Sequence, residues 1–147
     1  MAKNRAYFLI KSEPYKYSIN DLEKEGVTLW DGVRNYQAIN NIKQWQIGDY
    51  LYFYHSVKET RIVGLAEVCG EPFLNTDDER FSFACKIKFV KKFNEEISNS
   101  LALKKIKEHN LETNQFQNFG LIKQSRLSVV PCTVEFVNWV DQVVGDV

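Results

Sequence analysis

The pattern of apolar and polar positions divides the chain into short predicted strands. Residues 6–10 form a continuous apolar run of β-forming side chains, and the Pro14 that follows favours a buried strand over a helix. Apolar and polar positions alternate over residues 81–89, which is typical of a strand with one buried face. Two further strands are predicted at residues 50–55 and 61–69, joined by a hairpin loop.

Helix signals lie between and after these strands. Ser18 and Asp21 form a capping pair, and Gly26 stands where a left-handed C-terminal residue is expected, so residues 19–25 are predicted to be helical. With Ser100 and Thr133 as N-caps for the last two, the remaining predicted helices are residues 38–44, 101–109 and 134–143. Residues 29–37, with an Asp-Gly turn signal, and residues 72–79 are predicted to be loops.

This order of elements predicts an α+β fold, a curved and mainly antiparallel sheet or small barrel flanked by short helices. Antiparallel pairing is favoured because the later strands are joined by short loops. A length of 147 residues is typical of one domain, and no internal repeat or low-complexity linker divides the chain. We therefore predict a single domain over residues 1–147.

Composition and charge exclude several classes of protein. Nineteen Lys and Arg balance nineteen Asp and Glu, so no overall basic field would collect nucleic acid regardless of its sequence. The three cysteines, Cys69, Cys85 and Cys132, lie far apart and form no C-x-x-C pair, which argues against a disulfide framework or a zinc site. The apolar run at residues 7–10 is too short for a signal peptide or a membrane span. We expect a cytoplasmic protein with no metal and no cofactor.

Several separated motifs occur in one order along the chain. They are Lys11-Ser12-Glu13-Pro14, Tyr17-Ser18, WDGVRNYQA at residues 30–38, Gly48-Asp49, Phe53-Tyr54-His55-Ser56 and Ser125-Arg126-Leu127-Ser128-Val129. Together they resemble the EVE domain family over residues 7–143. The chain departs from the usual family pattern at Ile39, at Trp45 and in residues 71–76.

The resemblance implies a PUA-like fold, a small β-barrel with helices that is related to the YTH domains. It also implies a pocket for one modified base, with bases of the 5-methylcytosine type as the suggested ligands. We therefore predict a non-catalytic nucleic-acid-binding module that holds a single flipped base in an aromatic pocket. Its expected partner is DNA or RNA containing a modified base, and we expect a monomer, with a dimer as the alternative.

A base held outside a helix needs an aromatic face, hydrogen-bonding groups at its edge and cations for the adjacent phosphates. Trp30, beside the Asp-Gly turn signal, is the candidate stacking wall. The other candidate base contacts are Ser12, Asn35, Tyr54, His55 and Ser125, and the candidate phosphate contacts are Lys11, Arg34 and Arg126. Each has an ordinary structural alternative, such as a core tryptophan, a capping Asn or Ser, a hydrogen-bonded histidine or an ion-paired arginine.

Two other functions stay open from the sequence. A small hydrolase would pair His55 with one of the cysteines, although no activating motif surrounds them. A protein-interaction or dimerisation module would use Trp45 and Trp139 as exposed aromatic contacts, with Trp139 favoured as a core residue of the last helix.

Overall fold

A computed structural model describes residues 5–145, so the predicted domain bounds at residues 1 and 147 lie outside the described residues. The strands are β1 (Tyr7–Ser12), β2 (Val27–Val33), β3 (Tyr50–His55), β4 (Arg61–Val68), β5 (Phe73–Leu74), β6 (Phe83–Lys92) and β7 (Val129–Pro131). The helices are α1 (Ile19–Glu25), α2 (Tyr36–Ile42), α3 (Glu95–Ser100), α4 (Leu103–Thr113), α5 (Gly120–Lys123) and α6 (Val134–Val144). No helix within residues 5–145 is both long and apolar enough to cross a membrane.

The described strands form one curled sheet in the order β2, β6, β4, β3, β1, β7, with β5 paired to β6. The pair of β1 and β3 is parallel, and the other pairs are antiparallel. Register shifts interrupt three of the antiparallel pairs, and such irregularities bend strands and increase their twist. The predicted fold class, α+β with a curved and mainly antiparallel sheet, is confirmed.

Two predicted helices are confirmed together with their caps. Ser18 and Asp21 form a reciprocal capping box at the start of α1, and Gly26 ends the helix with a φ of 78°. At the start of α6 the Thr133 side chain accepts a hydrogen bond from the Phe136 backbone N–H. Local capping chemistry is therefore sufficient to place these two helices.

The predicted loop at residues 29–37 is wrong for its first half, because β2 runs from Val27 to Val33 and pairs with β6. The Asp31-Gly32 signal marks an irregularity in this strand, where Gly32 has a φ of 74° and the pairing shifts register between Trp30 and Val33. Long-range pairing with β6 thus overrides the local turn preference.

Ser100 does not cap the lysine-rich helix as predicted. It is the last residue of α3, which the sequence reasoning missed, and α4 begins only at Leu103 after Ala102. Asn94 caps α3 by accepting a hydrogen bond from the backbone of Ile97, so the true capping signal lies six residues upstream of Ser100. The predicted loop at 72–79 also contains the short strand β5.

The helices on one side of the sheet enclose a group of aromatic rings, which we call the helical cluster: Phe116, Phe119, Phe136 and Trp139. The ring centroids of Phe119 and Phe136 are 4.2 Å apart, and those of Phe116 and Trp139 are 5.6 Å apart. The three phenylalanines are fully buried and Trp139 is half-buried against them. Trp45, the other tryptophan considered for an exposed contact, is only 3% exposed and belongs to the core, so it does not form an exposed contact patch.

Candidate nucleic-acid interface

The parallel pairing of β1 with β3 brings the carboxyl ends of these strands together. Lys11 lies opposite Tyr54 in the register, and Ser12 lies opposite His55. Four residues predicted from two distant motifs are therefore neighbours. Strand ends of this kind are a common place for binding sites, because the loops that follow can surround a ligand.

Trp30 lies on β2 and forms one wall of a cavity of about 310 Å³, which we call the aromatic pocket. Its lining residues are Lys16, Tyr17, Thr28, Leu29, Trp30 and Asp31. The Trp30 ring meets Phe53 at a centroid distance of 5.6 Å and an interplanar angle of 76°, and it meets Tyr17 at 6.4 Å and 70°. Both neighbours are edge contacts, so neither described ring stacks parallel to the indole.

Phe53 joins these rings to His55 across a centroid distance of 5.8 Å. Tyr17, Trp30, Phe53 and His55 form what we call the site cluster. Phe53 is fully buried at its centre, whereas Tyr17 and Trp30 are half-buried at its margin. The packing of Phe53 holds the two outer rings in place beside open space.

A second cavity, of about 360 Å³, lies between the start of α2 and the segment after α5. We call it the basic pocket, and its lining residues are Asn35, Gln37, Lys123, Gln124, Ser125, Arg126 and Leu127. No carboxylate belongs to this lining, and neither Lys123 nor Arg126 forms an ion pair with a residue in 5–145. Across it the Gln37 amide donates to the Gln124 side-chain oxygen at 2.7 Å. Two unpaired cations among amides and a hydroxyl fit an anion such as a phosphate.

The end of β1 contacts a lining residue of each pocket, with two consecutive side chains that leave the strand on opposite faces. The Ser12 hydroxyl donates to the Tyr17 carbonyl at 2.6 Å, on the side of the aromatic pocket. The neighbouring Lys11 ammonium donates to the Ser125 carbonyl at 2.8 Å, on the side of the basic pocket. Asp31 and Asn35, which line one pocket each, are separated by four residue steps, so their backbones are at most about 14 Å apart.

The sequence matches the family model of the EVE domain over residues 6–143. The chain belongs to the EVE domain family. Thymocyte nuclear protein 1 from Gallus gallus is 30% identical over 161 aligned residues, which cover 91% of this chain and 66% of the chicken protein. The Rattus norvegicus protein of the same name is 31% identical, covering 88% of this chain and 69% of its own length. This EVE domain therefore corresponds to about two thirds of these relatives.

Solved structures agree with the fold of this EVE domain. Human THYN1, in complex with DNA that contains 5-methylcytosine, superposes with a TM-score of 0.81 at 26% identity, covering 97% of this chain and 99% of that chain. A hypothetical protein from Leishmania major superposes with a TM-score of 0.80 at 33% identity, covering 95% of this chain and 94% of its own. These matches confirm the predicted family and its PUA-like fold.

The other predicted site residues of this EVE domain are engaged in the structure. The Asn35 side-chain oxygen caps α2 by accepting from the Ala38 backbone N–H at 3.0 Å, which leaves its amide nitrogen beside the basic pocket. Arg34 forms an ion pair with Asp78 at 2.8 Å. Ser12 and Tyr54 are buried, with the Lys11 ammonium 5.9 Å from the centroid of the Tyr54 ring.

His55 faces a third cavity, of about 330 Å³, which it shares with Arg61, Lys92 and Glu95 among others. Its Nε2 accepts a hydrogen bond from the Ile19 backbone N–H at 3.1 Å, which fixes the proton of the neutral ring on Nδ1. Burial, with a smaller contribution from Arg61, lowers the pKa of His55 from its ordinary value. The histidine is therefore neutral near pH 7.

Burial also shifts the pKa values of groups around the pockets. It lowers the pKa of the Lys11 ammonium from its ordinary value. Burial, and then the hydrogen bond to Glu25, raises the pKa of Tyr17 to about 12, so its hydroxyl stays protonated and donates to that carboxylate at 2.6 Å. Within residues 5–145, no group of three or more His, Cys, Asp or Glu side chains is arranged to hold a metal ion.

Sequence reasoning missed several residues that line the two pockets. Tyr17 belongs to one of the family motifs but is not predicted to contact a ligand, and Asp31 is predicted only as part of a turn. Gln37, Lys123 and Gln124 line the basic pocket beside the predicted Asn35, Ser125 and Arg126. Lys123 precedes the Ser-Arg motif by two positions, and its place at the end of a one-turn helix gave no local signal.

Proposed function

We propose that this chain is a non-catalytic nucleic-acid-binding module that holds one modified, flipped base in the aromatic pocket and the adjacent phosphates in the basic pocket. The observation that carries the proposal is the juxtaposition of a half-buried tryptophan wall with a cationic pocket that has no carboxylate in its lining. A nucleotide has one flat apolar face and one anionic end, and the two pockets match these parts.

Stacking on Trp30 supplies the affinity for the base. Its edge-on neighbours leave a ring face without a parallel partner, and base stacking on an aromatic side chain contributes about 1 to 3 kcal/mol. The pocket volume of about 310 Å³ lies at the small end of the range of roughly 300 to 1,000 Å³ found for ligand sites. That size is sufficient for one base.

Polar groups around the pockets supply the recognition of the base edge. Asp31, next to Trp30, can accept a hydrogen bond from the exocyclic amino group of cytosine or adenine. We propose that the free amide nitrogen of Asn35 and the Ser125 hydroxyl, both predicted as base contacts, donate to a phosphate instead, because both line the basic pocket. Ser12, Tyr54 and His55 lie behind this surface, and we propose that they set the positions of Tyr17, Lys11 and α1.

Phosphates would bind at Arg126 and Lys123, whose charges are unpaired among the described residues, with Lys11 beside them through Ser125. Arg34 makes a weaker contribution in this proposal, because its guanidinium already pairs with Asp78. A local basic pocket also explains how a chain of zero formal net charge can bind nucleic acid.

The proposed ligand is a base of the 5-methylcytosine type, tested first because a 26% identical protein of the same fold was solved with DNA containing 5-methylcytosine. A nucleotide held outside the duplex presents both its faces and its edge, which a paired nucleotide does not. The proposal therefore expects stronger binding where the modified base is unpaired or mismatched.

Two observations support a module without catalysis. Burial raises the pKa of Cys85 to about 12 and raises the pKa of Cys132 well above its ordinary value, so neither thiol is activated as a nucleophile. The Nε2 of His55 is engaged with the Ile19 backbone rather than with a cysteine. The His-Cys pair of a small hydrolase therefore gains no support from the geometry.

The proposal is tested by titrating the protein, at low salt, into dye-labelled single-stranded and duplex oligonucleotides that carry one cytosine, 5-methylcytosine, 5-hydroxymethylcytosine, adenine or N6-methyladenine, and by following the fluorescence anisotropy of the dye. We expect one modified base to bind more tightly than its unmodified parent. Replacing Trp30 with Ala should weaken binding of that base by about 5- to 150-fold, which corresponds to the loss of one stacking interaction.

Trp139→Phe is the matched control, since it removes an indole from the helical cluster and leaves Trp30 in place. It should bind every oligonucleotide as the wild type does. If no oligonucleotide binds the wild type, or if Trp30→Ala keeps the preference for the modified base, the proposed function is wrong.

A further inference from the structure

An exposed strip of apolar side chains begins beside the basic pocket. Tyr36 is 76% exposed and Phe81 is 51% exposed, with ring centroids 6.2 Å apart, and Phe81 lies 6.0 Å from Phe83. Leu74, which lies opposite Phe83 in the pairing of β5 with β6, extends the strip. We call Tyr36, Phe81, Phe83 and Leu74 the aromatic strip. Contiguous apolar surface of this kind usually marks an interaction site.

The strip is held outward by a fixed loop. Asp78 accepts hydrogen bonds from the Ser82 hydroxyl at 2.7 Å and from the Arg80 backbone at 3.0 Å, and it pairs with Arg34. The Asn75 backbone N–H donates to the Ser82 carbonyl at 2.9 Å. Because the segment that carries Phe81 is already ordered, a ligand that binds there loses little affinity to ordering the loop.

The position of Tyr36 connects the strip to the proposed nucleotide site. Asn35 and Gln37, its two neighbours in sequence, both line the basic pocket. At the other end, the Lys43 ammonium lies 5.0 Å from the centroid of the Phe83 ring. A single strand of nucleic acid that leaves the basic pocket would therefore pass along the rings of Tyr36 and Phe81 toward the Lys43 ammonium. Asp77 and Glu79 lie on the Phe81 loop, so we expect the phosphates to follow the Lys43 side.

Exposed aromatic rings next to cations are how proteins hold single-stranded nucleic acid without reading its sequence. In a duplex the base faces are stacked on one another, so the strip can accept only unpaired bases. We infer that the aromatic strip binds the unpaired nucleotides that flank the base held in the aromatic pocket, an inference that rests on the proposed function. The strip increases the affinity for single strands and does not change the preference for the modified base.

The inference is tested with single-stranded oligonucleotides of three and of about ten nucleotides, each with and without one 5-methylcytosine, and with the matching duplex. Tyr36→Ala and Phe81→Ala should each weaken binding of the longer single strand by about fivefold to tenfold, at the low end for base stacking. The ratio of affinities for modified and unmodified strands should stay unchanged. Binding of the trinucleotide and the duplex should change by less than twofold.

Leu111→Ala is the matched control, because Leu111 is 82% exposed on α4, away from the strip. Tyr36→Phe should retain the wild-type affinity, since the ring is kept. If Trp30→Ala removes the preference for the modified base while Tyr36→Ala and Phe81→Ala bind the longer strand normally, the inference about the strip is wrong and the proposed function stands. If the wild type binds no oligonucleotide, both are wrong.

Sedimentation velocity tests whether the strip binds a second copy of the chain instead of nucleic acid. A dimer that forms at micromolar concentration and is lost in Tyr36→Ala would show that the strip is an interface between two copies of the chain. A monomer for both proteins, together with the loss of single-strand affinity, is the expected result.

Discussion

The helical cluster and the site cluster contain the same kinds of side chain in different surroundings. Each joins four rings edge to face or tilted, and each has one histidine as a member or neighbour, since His109 lies 5.0 Å from Phe116. In the helical cluster the three phenylalanines are fully buried. In the site cluster only Phe53 is fully buried, and Tyr17 and Trp30 line open space.

Hydrogen bonds hold polar groups at the margin of both clusters, since His109 bonds to the Gln115 side chain at 2.9 Å beside the helical cluster. In the site cluster the Tyr17 hydroxyl bonds to Glu25, and His55 bonds to the backbone of Ile19. These bonds orient the rings while leaving the aromatic pocket open. The comparison teaches that aromatic residue type and ring distance do not distinguish a core from a binding wall. The open space beside Trp30 and Tyr17 does distinguish them.

The largest expected effect is on stability, and it separates the two clusters. Phe136→Ala should lower the free energy of unfolding by about 3 to 5 kcal/mol, because it removes a fully buried ring and leaves a cavity. Trp30→Ala should lower it by clearly less, because Trp30 is half exposed to begin with. Urea unfolding of both variants measures the difference. Equal losses would mean that Trp30 serves as a core residue and would break the comparison.

The next effect is on the salt dependence of binding, which should involve cations of the basic pocket and none beside the helical cluster. Lys123→Gln and Arg126→Gln should each reduce the slope of log affinity against log salt by about 0.7 for a single strand, the contribution of one released counterion. Lys107→Gln, on the exposed side of α4 next to the helical cluster, should leave the slope unchanged. Titrations at four salt concentrations give the slopes. If Lys107→Gln changes the salt slope more than Arg126→Gln does, the phosphates bind near α4 rather than in the basic pocket.

The smallest effect is a pH dependence of stability from His55. Burial lowers the pKa of His55 in the folded chain from its ordinary value of about 6.5. Between these two pKa values the unfolded chain binds a proton that the folded chain does not. Stability contributed by His55 is therefore complete above the ordinary pKa and is lost as the pH falls through this window.

Urea midpoints between pH 7.5 and pH 5 measure this loss. His55→Gln can still accept the hydrogen bond from Ile19 and should flatten the dependence, whereas His109→Gln should retain it. If His55→Gln and the wild type lose stability in parallel, the histidine is not held neutral by the site cluster.

Elements with strong local signals could be predicted from the sequence. The capping box at Ser18 and Asp21 placed α1, and alternation placed most of β6, because caps and strand faces depend on neighbouring residues. Part of β2 is predicted wrongly as a loop, since its strand character comes from pairing with β6, 50 or more positions away. Ser100 misled the prediction because a good capping residue can also end a helix.

The sequence selects candidate residues for the site, whose function stays a prediction, but it does not show how they are arranged. The resemblance selected Trp30, Asn35, Ser125 and Arg126, which line the aromatic and basic pockets. Their division between two pockets follows from the chain path and could not be read from motifs. The side-chain oxygen of Asn35 and the guanidinium of Arg34 are engaged by partners that no local pattern identifies.

The central claim is that one modified base lies against Trp30. It is tested most directly by NMR, with an oligonucleotide whose single 5-methylcytosine carries a carbon-13-labelled methyl group, bound to the wild-type protein. Stacking predicts nuclear Overhauser effects between this methyl group and the ring protons of Trp30 and Tyr17, with a shift of the methyl signal from the ring currents. A bound methyl group with the shift of the free strand, or with contacts only to residues outside the aromatic pocket, would contradict the account.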